Sequence, residues 1–338
     1  MLGRDRSCAD RSLARPRMIA VIGEALIDLV VDHDGRVAAQ PGGGPFNTAR
    51  TIGRLGLAPA FLGRLSQDSF GTLLRTSLDR DGVTLAVPQL ADAPTTLAAV
   101  DVEAGGAARY RFYLAGTSSG ALDYPALSAA VPDGVTALHA GSLALVMEPI
   151  ATSIERLVAS DLPPGTLVMI DPNCRPDVIT DQEAYRARLL RILRRADVVK
   201  VSTEDLGYLY PGAPARTAAA ALLGQGPVLV LVTDGPRAAW ALLPGQEVRV
   251  DVPAVQVVDT IGAGDAFGGA FLAWWSGKQL TRADLHRPGP VREALEASVE
   301  VASLTCTRVG AEPPWLQDLR GRPGWRSSPG TKRRQPLQ

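Results

Sequence analysis

Cysteine and histidine are scarce in this sequence, with three of each in 338 residues. The cysteines, Cys8, Cys174 and Cys306, are odd in number and far apart, which indicates a reducing compartment and excludes a disulfide framework. The histidines show no metal-ligand spacing, so no zinc knuckle is expected. The composition therefore favours a cytoplasmic protein without structural disulfides.

Long apolar runs are also missing. No stretch reaches the roughly 20 apolar residues that a helix needs to cross a bilayer. The N-terminal segment contains Arg4, Arg6, Arg11 and Arg15 but no apolar core, so it does not resemble a secretory signal. We therefore expect no membrane partner, and a charged content of 21% is ordinary for a globular enzyme.

The chain has no excess of charge of one sign, because 35 basic and 35 acidic residues cancel. The basic residues nevertheless concentrate in both tails, which leaves an acidic body and argues against nucleic acid as a partner. Both tails are poor in apolar residues. We predict a disordered extension at 1–17, one folded domain at 18–315 and a disordered basic tail at 316–338.

Short apolar runs alternate with helical patterns along the body of the chain. This alternation predicts an α/β fold with a mostly parallel sheet, helices on both faces and a ligand crevice at the carboxyl ends of the strands. The predicted strands are 18–22, 60–65, 135–140, 167–170, 198–201 and 228–232, followed by a hairpin at 238–242 and 248–252. The predicted helices are 46–55, 70–79, 149–159, 185–194 and 215–223.

Two further segments read as β-hairpins outside this alternation. Residues 95–103 and 109–114 flank Ala-Gly-Gly-Ala, and Tyr110 and Phe112 alternate with Arg109 and Arg111 in the second strand. Residues 27–37 surround Asp-Gly and predict another hairpin. We expect a small β-structure in addition to the main sheet.

The most informative segment, 259–271, reads Asp-Thr-Ile-Gly-Ala-Gly-Asp-Ala-Phe-Gly-Gly-Ala-Phe. Three small residues, Gly262, Ala263 and Gly264, precede Asp265 and an apolar helical run. Bare N–H groups at a helix start lie at the positive end of the helix dipole and form an anion site. An acid in that turn suits a proton acceptor beside a phosphoryl group in transit. The alternative is an acid that only stabilises the helix terminus.

Two common nucleotide motifs are missing. The chain has no G-x-x-x-x-G-K-[ST], so it is not a P-loop enzyme. The glycines of the late segment are spaced G-x-G-x-x-x-G, and an early G-x-G-x-x-G after a strand is lacking, which disfavours a dinucleotide-dependent oxidoreductase.

A glycine run and two polar residues near the first strand fit a polyol. Gly43 and Gly44 would let a sugar approach the backbone closely, and Asn47 can both donate to and accept from hydroxyls. Asp28 follows the first strand, and carboxylates commonly hold vicinal hydroxyls. The alternatives are a flexible loop before a helix and a turn-forming aspartate.

Together these segments closely resemble the signatures of the ribokinase-like (PfkB) sugar kinases. The resemblance rests on residues 259–271, the run 41–49 (Pro-Gly-Gly-Gly-Pro-Phe-Asn-Thr-Ala), the run 23–28 (Gly-Glu-Ala-Leu-Ile-Asp) and Asp-Pro-Asn at 171–173. It covers 18–314. It implies a ribokinase-like fold whose hairpins, about 27–40 and 93–116, form a lid over a small sugar. It also implies ATP, Mg²⁺ and, in parts of the family, K⁺ as cofactors, and we consider a homodimer through the lid.

The resemblance assigns roles to individual residues. Asp265 would be the base, with the backbone of Gly262, Ala263 and Gly264 as the anion hole. The residues implied for the sugar are Asp28, Gly43, Gly44, Asn47, Arg109 and Arg175; for ATP, Lys200, Ser202, Thr233, Asp234 and Gly235; for Mg²⁺, Glu204 and Asp205; and for K⁺, Asp259 and Ile261. Helix capping by Ser202 and Asp205 is an open alternative, as are a strand-end turn at 233–235 and a surface role for Arg175.

The sugar is the least determined part of this interpretation. Residues 23–28 and 41–47 look most like the fructokinase and 2-keto-3-deoxygluconate kinase branches. Leu114 stands where these branches usually have an arginine, and an acid sugar needs a cationic partner. We therefore expect a neutral ketohexose such as fructose. A ketodeoxygluconate kinase, a ribokinase, a nucleoside kinase and a non-catalytic ligand sensor stay as alternatives.

Overall fold

The structure is a computed structural model that describes residues 17–31, 34–102 and 108–325, without the side chains of residues 101, 102, 108 and 109. The strands in this part of the chain are β1 (Met18–Ile22), β2 (Leu26–Val31), β3 (Val37–Gly42), β4 (Ala60–Leu62), β5 (Thr84–Leu85), β6 (Thr96–Val102), β7 (Ala108–Tyr113), β8 (Val135–Gly141), β9 (Leu167–Asp171), β10 (Val198–Ser202), β11 (Leu229–Thr233), β12 (Ala238–Leu243) and β13 (Gln246–Asp251). The α-helices there are α1 (Gly44–Arg54), α2 (Ser69–Arg80), α3 (Tyr124–Ala130), α4 (Ile150–Ser160), α5 (Gln182–Leu193), α6 (Thr203–Leu209), α7 (Ala215–Leu223), α8 (Ala263–Gly277) and α9 (Pro288–Thr305).

The main sheet has the order β13-β12-β11-β10-β9-β8-β1-β4-β5 among the described residues. All neighbouring pairs from β11 to β5 are parallel, and β12 runs antiparallel to both of its neighbours. Strand β4 lies on one side of β1, and β8, which comes later in the chain, lies on the other side of β1. The order therefore reverses between β1 and β8, and such a switch point opens a crevice at the carboxyl ends of the strands.

Helices cover both faces of this sheet, which explains why its strands read as continuous apolar runs. In β1, Ile19 and Val21 pack in one cluster with residues of α8 and α9, whereas Ala20 and Ile22 pack in a second cluster with residues of α4 and α5. The predicted α/β class and helix-covered parallel sheet are confirmed.

The two predicted hairpins form a second sheet of order β3-β2-β6-β7. Each hairpin is antiparallel, and parallel pairing of β2 with β6 joins them. The small sheet leads directly into the main one, because β2 follows β1 after three residues and β3 ends at the start of α1.

Among the described residues, no helix is long and apolar enough to cross a membrane.

The predicted tail boundary is wrong for residues 316–325. Two 3₁₀ turns, Leu316–Leu319 and Pro323–Trp325, pack on the body of the protein. The Trp325 indole N–H donates to the Ala297 carbonyl at 3.3 Å, and the Trp274 indole donates to the Gly324 carbonyl at 3.0 Å. One buried tryptophan supplies enough apolar area to order a polar segment, so the folded domain reaches at least residue 325.

At the other end, Arg17 donates to the carbonyl of Leu280 at 2.7 Å. The predicted N-terminal extension therefore does not include Arg17. Residues 1–16 and 326–338 lie outside the described part of the chain, so disorder there stays a prediction.

Candidate active site

A cavity of about 700 Å³ opens at the switch point between β1 and β8. The main sheet, the start of α1, the start of α8 and the inner face of the small sheet form its walls. It collects residues from segments that are up to 241 positions apart, between Glu24 and Asp265. The sequence-predicted residues that line it are Asp28, Gly43, Gly44, Asn47, Arg175, Lys200, Ile261, Gly262, Gly264 and Asp265.

The start of α8 has the geometry expected for an anion site. Gly262 precedes the helix with φ of 74°, a left-handed conformation that favours glycine. A Cβ at this position would lie 2.4 Å from the Cβ of Ala311, so the turn also has no room for a side chain. The first N–H groups of α8 have no helical acceptor, and the dipole of a 15-residue helix adds positive potential there.

Asp265 lies in this first turn and is 8% exposed. Its Oδ2 accepts a hydrogen bond of 2.9 Å from Nδ2 of Asn47. Burial raises the pKa of Asp265 above its ordinary value, while the Asn47 hydrogen bond and the charges of Lys200 and Arg175 oppose the rise. A carboxylate with a raised pKa at an anion site can accept a proton from a substrate.

Lys200 extends from β10 towards the same turn. Its Nζ donates to Oδ2 of Asp171 at 2.9 Å, and both side chains are buried. An ideal Cβ on Gly264 would lie 2.9 Å from this Nζ, so the ammonium group is directly beside the helix start. Burial lowers the pKa of Lys200, but the carboxylates of Asp171, Asp205 and Asp265 outweigh burial and raise it. The lysine therefore carries a positive charge at the anion site.

Asp28 enters the cavity from β2, on the small sheet. Burial, followed by the charge of Asp265, raises the pKa of Asp28 to about 7, although Arg175 lowers it. Tyr110 and Phe112 of β7 line the same wall with stacked rings, 6.0 Å between centroids. The small sheet thus contributes one acid and two aromatic faces, a combination suited to a sugar with an apolar face and several hydroxyls.

Glu24 is a cavity residue that the sequence analysis did not select. Its carboxylate accepts from the N–H groups of Gly44 and Ala144, each at 3.1 Å, and so ties the start of α1 to the turn after β8. Burial raises the pKa of Glu24 to about 7 despite these hydrogen bonds. The available signal in the sequence was an acid directly after Gly23, the residue that follows β1.

Ser142 and Asn173 also line the cavity and were not selected. They follow β8 and β9 and adopt left-handed φ values of 57° and 39°. Both side chains approach Gly44, where an ideal Cβ would lie 3.1 Å from Cβ of Ser142 and 3.3 Å from Nδ2 of Asn173. A side chain at position 44 would therefore be tightly packed against both residues, and glycine leaves this space open.

Several predicted nucleotide and metal residues do not line the cavity. Ser202 and Asp205 form a reciprocal capping box at the start of α6. Asp205 Oδ2 accepts from Ser202, and Oδ1 accepts from the Cys174 N–H at 2.7 Å. Both carboxylate oxygens of Asp205 are used inside the fold. The capping alternative is therefore what the geometry favours, and Mg²⁺ binding by Asp205 is not supported.

The remaining predicted residues lie around the cavity. Thr233 ends β11, and Asp234 and Gly235 follow it at the same edge of the sheet. Asp234 pairs with Arg237 and accepts from Thr203. Glu204 is exposed in the first turn of α6. The described residues hold no cluster of three or more metal-ligating side chains. The side chain of Arg109 lies outside the described residues.

Asp259 closes the turn before α8 and does not line the cavity. Its Oδ1 accepts from the N–H of Ile261 and its Oδ2 from the N–H of Gly310, each at 2.9 Å. The carboxylate therefore ties the anion turn to the segment that follows α9.

Comparison with known proteins agrees with this geometry. Residues 16–318 match the pfkB family carbohydrate kinase. The chain is 34% identical to a fructokinase of Rhizobium leguminosarum bv. trifolii over 76% of its own length and 79% of the relative, and 32% identical to fructokinase-2 of rice over 90% and 93%.

Solved structures give the same result. A fructokinase of Xylella fastidiosa with bound ATP superimposes with a TM-score of 0.81 at 30% identity, covering 89% of this chain and 96% of the other. A fructokinase of Vibrio cholerae O395 with fructose, ADP and calcium gives 0.78 at 28% identity over 87% and 94%. The cavity, the α8 anion site and these matches together place this chain in the pfkB family of carbohydrate kinases.

Proposed function

We propose that the protein is an ATP-dependent fructokinase. The observation that carries this proposal is the position of Asp265: it lies between the α8 anion site with Lys200 and a cavity lined by polar groups. Relatives at 29–34% identity are named fructokinases, and a similar solved structure binds fructose and ADP. The transfer of a phosphoryl group to a sugar hydroxyl needs this combination of a base and concentrated positive potential.

The charges of the cavity favour a neutral sugar over an acid sugar. Glu24, Asp28, Asp177 and Asp265 line it, and Lys200 is already paired with Asp171. Arg111 lines the opposite face of the small sheet, in a separate cavity. Arg175 also faces the sugar cavity: its Nη1 donates to the carbonyls of Asn173 and Cys174, each at 3.2 Å, and its positive charge interacts with the carboxylates of Asp28 and Asp265. A substrate carboxylate would meet more negative than positive charge here.

The reaction then follows from the placement of these groups. Asp265 accepts the proton of the sugar hydroxyl while the hydroxyl oxygen attacks the γ-phosphorus of ATP, and the bond to the ADP oxygen breaks. The N–H groups at the start of α8 and the Lys200 ammonium stabilise the charge on the transferred group. Asp28 and Asn47 orient the sugar, and the small sheet excludes water from the reacting atoms.

The proposed function includes Mg²⁺ as a cofactor, a cytoplasmic location and a homodimer. Mg²⁺ usually binds through substrate phosphates and one or two carboxylates, and it neutralises charge on the phosphate oxygens. Glu204 is an exposed carboxylate at this edge and would hold it. The scarcity of cysteine supports a cytoplasmic location, and the exposed Tyr113 on strand β7 at the sheet edge supports a homodimer through the lid.

The test of this function uses Asp265→Asn and a panel of sugars. The variant should melt like the wild type and bind ATP, with kcat reduced by roughly 10²–10⁴, the usual contribution of a positioned base. Activity within a few-fold of the wild type would contradict the assignment of the base.

The panel compares kcat/KM for fructose, 2-keto-3-deoxygluconate and ribose. Fructose should be preferred. A preference for the acid sugar of more than about tenfold, equivalent to 1.4 kcal/mol, would contradict the charge argument. Sugar binding without ATP consumption would instead indicate a ligand sensor.

A further inference from the structure

Close packing of α1 on α8 brings one amide of α1 into contact with the carboxylate of Asp265. Gly269 makes this packing possible, because a Cβ there would lie 2.7 Å from Cβ of Thr51 and 2.9 Å from the carbonyl oxygen of Thr48. At this spacing Nδ2 of Asn47 reaches Oδ2 of Asp265 at 2.9 Å, and both side chains are buried. The contact is therefore set by the backbone geometry of two packed helices.

The chemistry of the two groups fixes the orientation of the amide. An ionised carboxylate only accepts hydrogen bonds, so the NH₂ group of Asn47 must face Asp265. The amide oxygen then points the other way. In the part of the chain that the structure describes, Oδ1 of Asn47 is buried and has no hydrogen-bond partner. A buried acceptor without a donor is costly, so this oxygen is suited to a donor that arrives with the substrate.

We propose that Asn47 is the positioning residue of the base: Nδ2 holds the Asp265 carboxylate ionised and oriented, while Oδ1 accepts from a hydroxyl of the bound sugar. The proposal rests on the proposed role of Asp265 as base. It goes beyond sugar binding by Asn47, because it makes a single amide responsible for both the placement of the substrate and the protonation state of the base.

The charged surroundings of Asp265 support this role. Lys200 of β10 and Arg175, which follows β9, favour the ionised carboxylate. Asp28 of β2 and Asp171 of β9 interact unfavourably with it, whereas burial raises the pKa of Tyr110 of β7 above 10 and keeps this phenol neutral. Burial raises the pKa of Asp265, and the hydrogen bond from Asn47 is the largest of the opposing effects. Loss of this bond should therefore raise the pKa further.

The experiment is the pH profile of kcat, at saturating ATP and fructose, for the wild type, Asn47→Ala and Asn47→Asp. The acid limb of this profile reports the base in the substrate complex. In Asn47→Ala it should move up by about 1–2 pH units, the size expected for one hydrogen bond to a charged group. In Asn47→Asp it should move further, since two adjacent carboxylates share a proton. In both variants kcat should recover towards high pH.

Thr48→Ala is the matched control. The Thr48 hydroxyl donates to the backbone carbonyl of Asp265 at 3.4 Å, across the same helix interface, but does not touch the carboxylate. This variant should keep the wild-type acid limb. An equal shift in Thr48→Ala would attribute the effect to helix packing and overturn the proposal.

Two other outcomes separate this proposal from the function on which it rests. An unchanged acid limb in both Asn47 variants, with a raised KM for fructose, would make Asn47 a sugar ligand only. Near-normal activity of Asp265→Asn would instead refute the base itself. Asn47→Asp keeps the volume of the side chain, so it still reports if Asn47→Ala does not melt cooperatively.

Discussion

Asp28→Asn should stabilise the ligand-free protein and weaken its binding of the sugar. Asp28 is a buried carboxylate that faces the like charge of Asp265, and its pKa is raised from 3.8 to about 7. Each unit of pKa shift corresponds to 1.36 kcal/mol, so the ionised carboxylate destabilises the folded state by roughly 4 kcal/mol above pH 7. Asparagine removes the charge and keeps the shape of the side chain.

The sign of the pH dependence follows from the same shift. Below about pH 4 Asp28 is protonated in both the folded and the unfolded state, so the variant and the wild type should have similar stability. Between pH 4 and pH 7 the unfolded chain releases this proton and the folded protein keeps it. The free energy of unfolding of the wild type therefore falls relative to the variant over this range, and the difference becomes constant above pH 7.

The assay is thermal or urea unfolding of both proteins at pH 4.5 and pH 8 without ligand, followed by sugar and ATP KM at pH 8. The variant should gain several degrees of melting temperature at pH 8 only. Its sugar KM should rise at least tenfold, because a hydrogen bond to a charged group contributes about 1.5–3 kcal/mol, and its ATP KM should hardly change.

Asp133→Asn, at an exposed position before β8, serves as the control and should change neither quantity. A variant that is equally stabilised at both pH values, or destabilised at pH 8, would refute the link between the raised pKa and stability. Unchanged sugar KM would show that Asp28 does not hold the substrate.

Three further predictions concern other parts of the protein. Trp325→Ala should lower the free energy of unfolding by about 3–5 kcal/mol, because the indole packs on α9 and donates to Ala297. Truncation after Trp325 should leave the melting temperature unchanged. A large drop in the melting temperature of the truncated protein would show that residues 326–338 contribute to the fold. Gly264→Val should lose most activity while fructose binding, measured by calorimetry, survives, because its Cβ would lie 2.9 Å from Nζ of Lys200; full activity would contradict the anion site.

Much of the fold could be predicted from local patterns. The predicted strand 18–22 and helix 215–223 agree with β1 and α7 in both bounds. Strand β1 is a run of five residues followed by a glycine, and this short length favours a fully buried strand over a helix. The prediction of disorder is wrong for residues 316–325 because a single tryptophan, Trp325, anchors this polar segment, and composition averaged over 316–338 hides it.

The sequence also determined the site residues that lie together in one short motif. Gly262 and Asp265 lie in one turn, and their relation follows from the start of a helix alone. The sequence could not separate a metal ligand from a helix cap at Asp205, because both uses need the same carboxylate oxygens. In the structure the Asp205 carboxylate accepts from Ser202 and from the Cys174 N–H, and these contacts favour the helix cap.

Relations between distant segments were decided by the tertiary structure. Asn47 and Asp265 are 218 positions apart, and their hydrogen bond exists because Gly269 lets two helices pack closely. Glu24 is a site residue because the fold places the start of α1 and the turn after β8 on either side of its carboxylate. Local sequence sets the chemistry that each residue can perform, whereas burial and neighbouring charges, which set pKa values and partners, arise only when the sheets and helices are assembled.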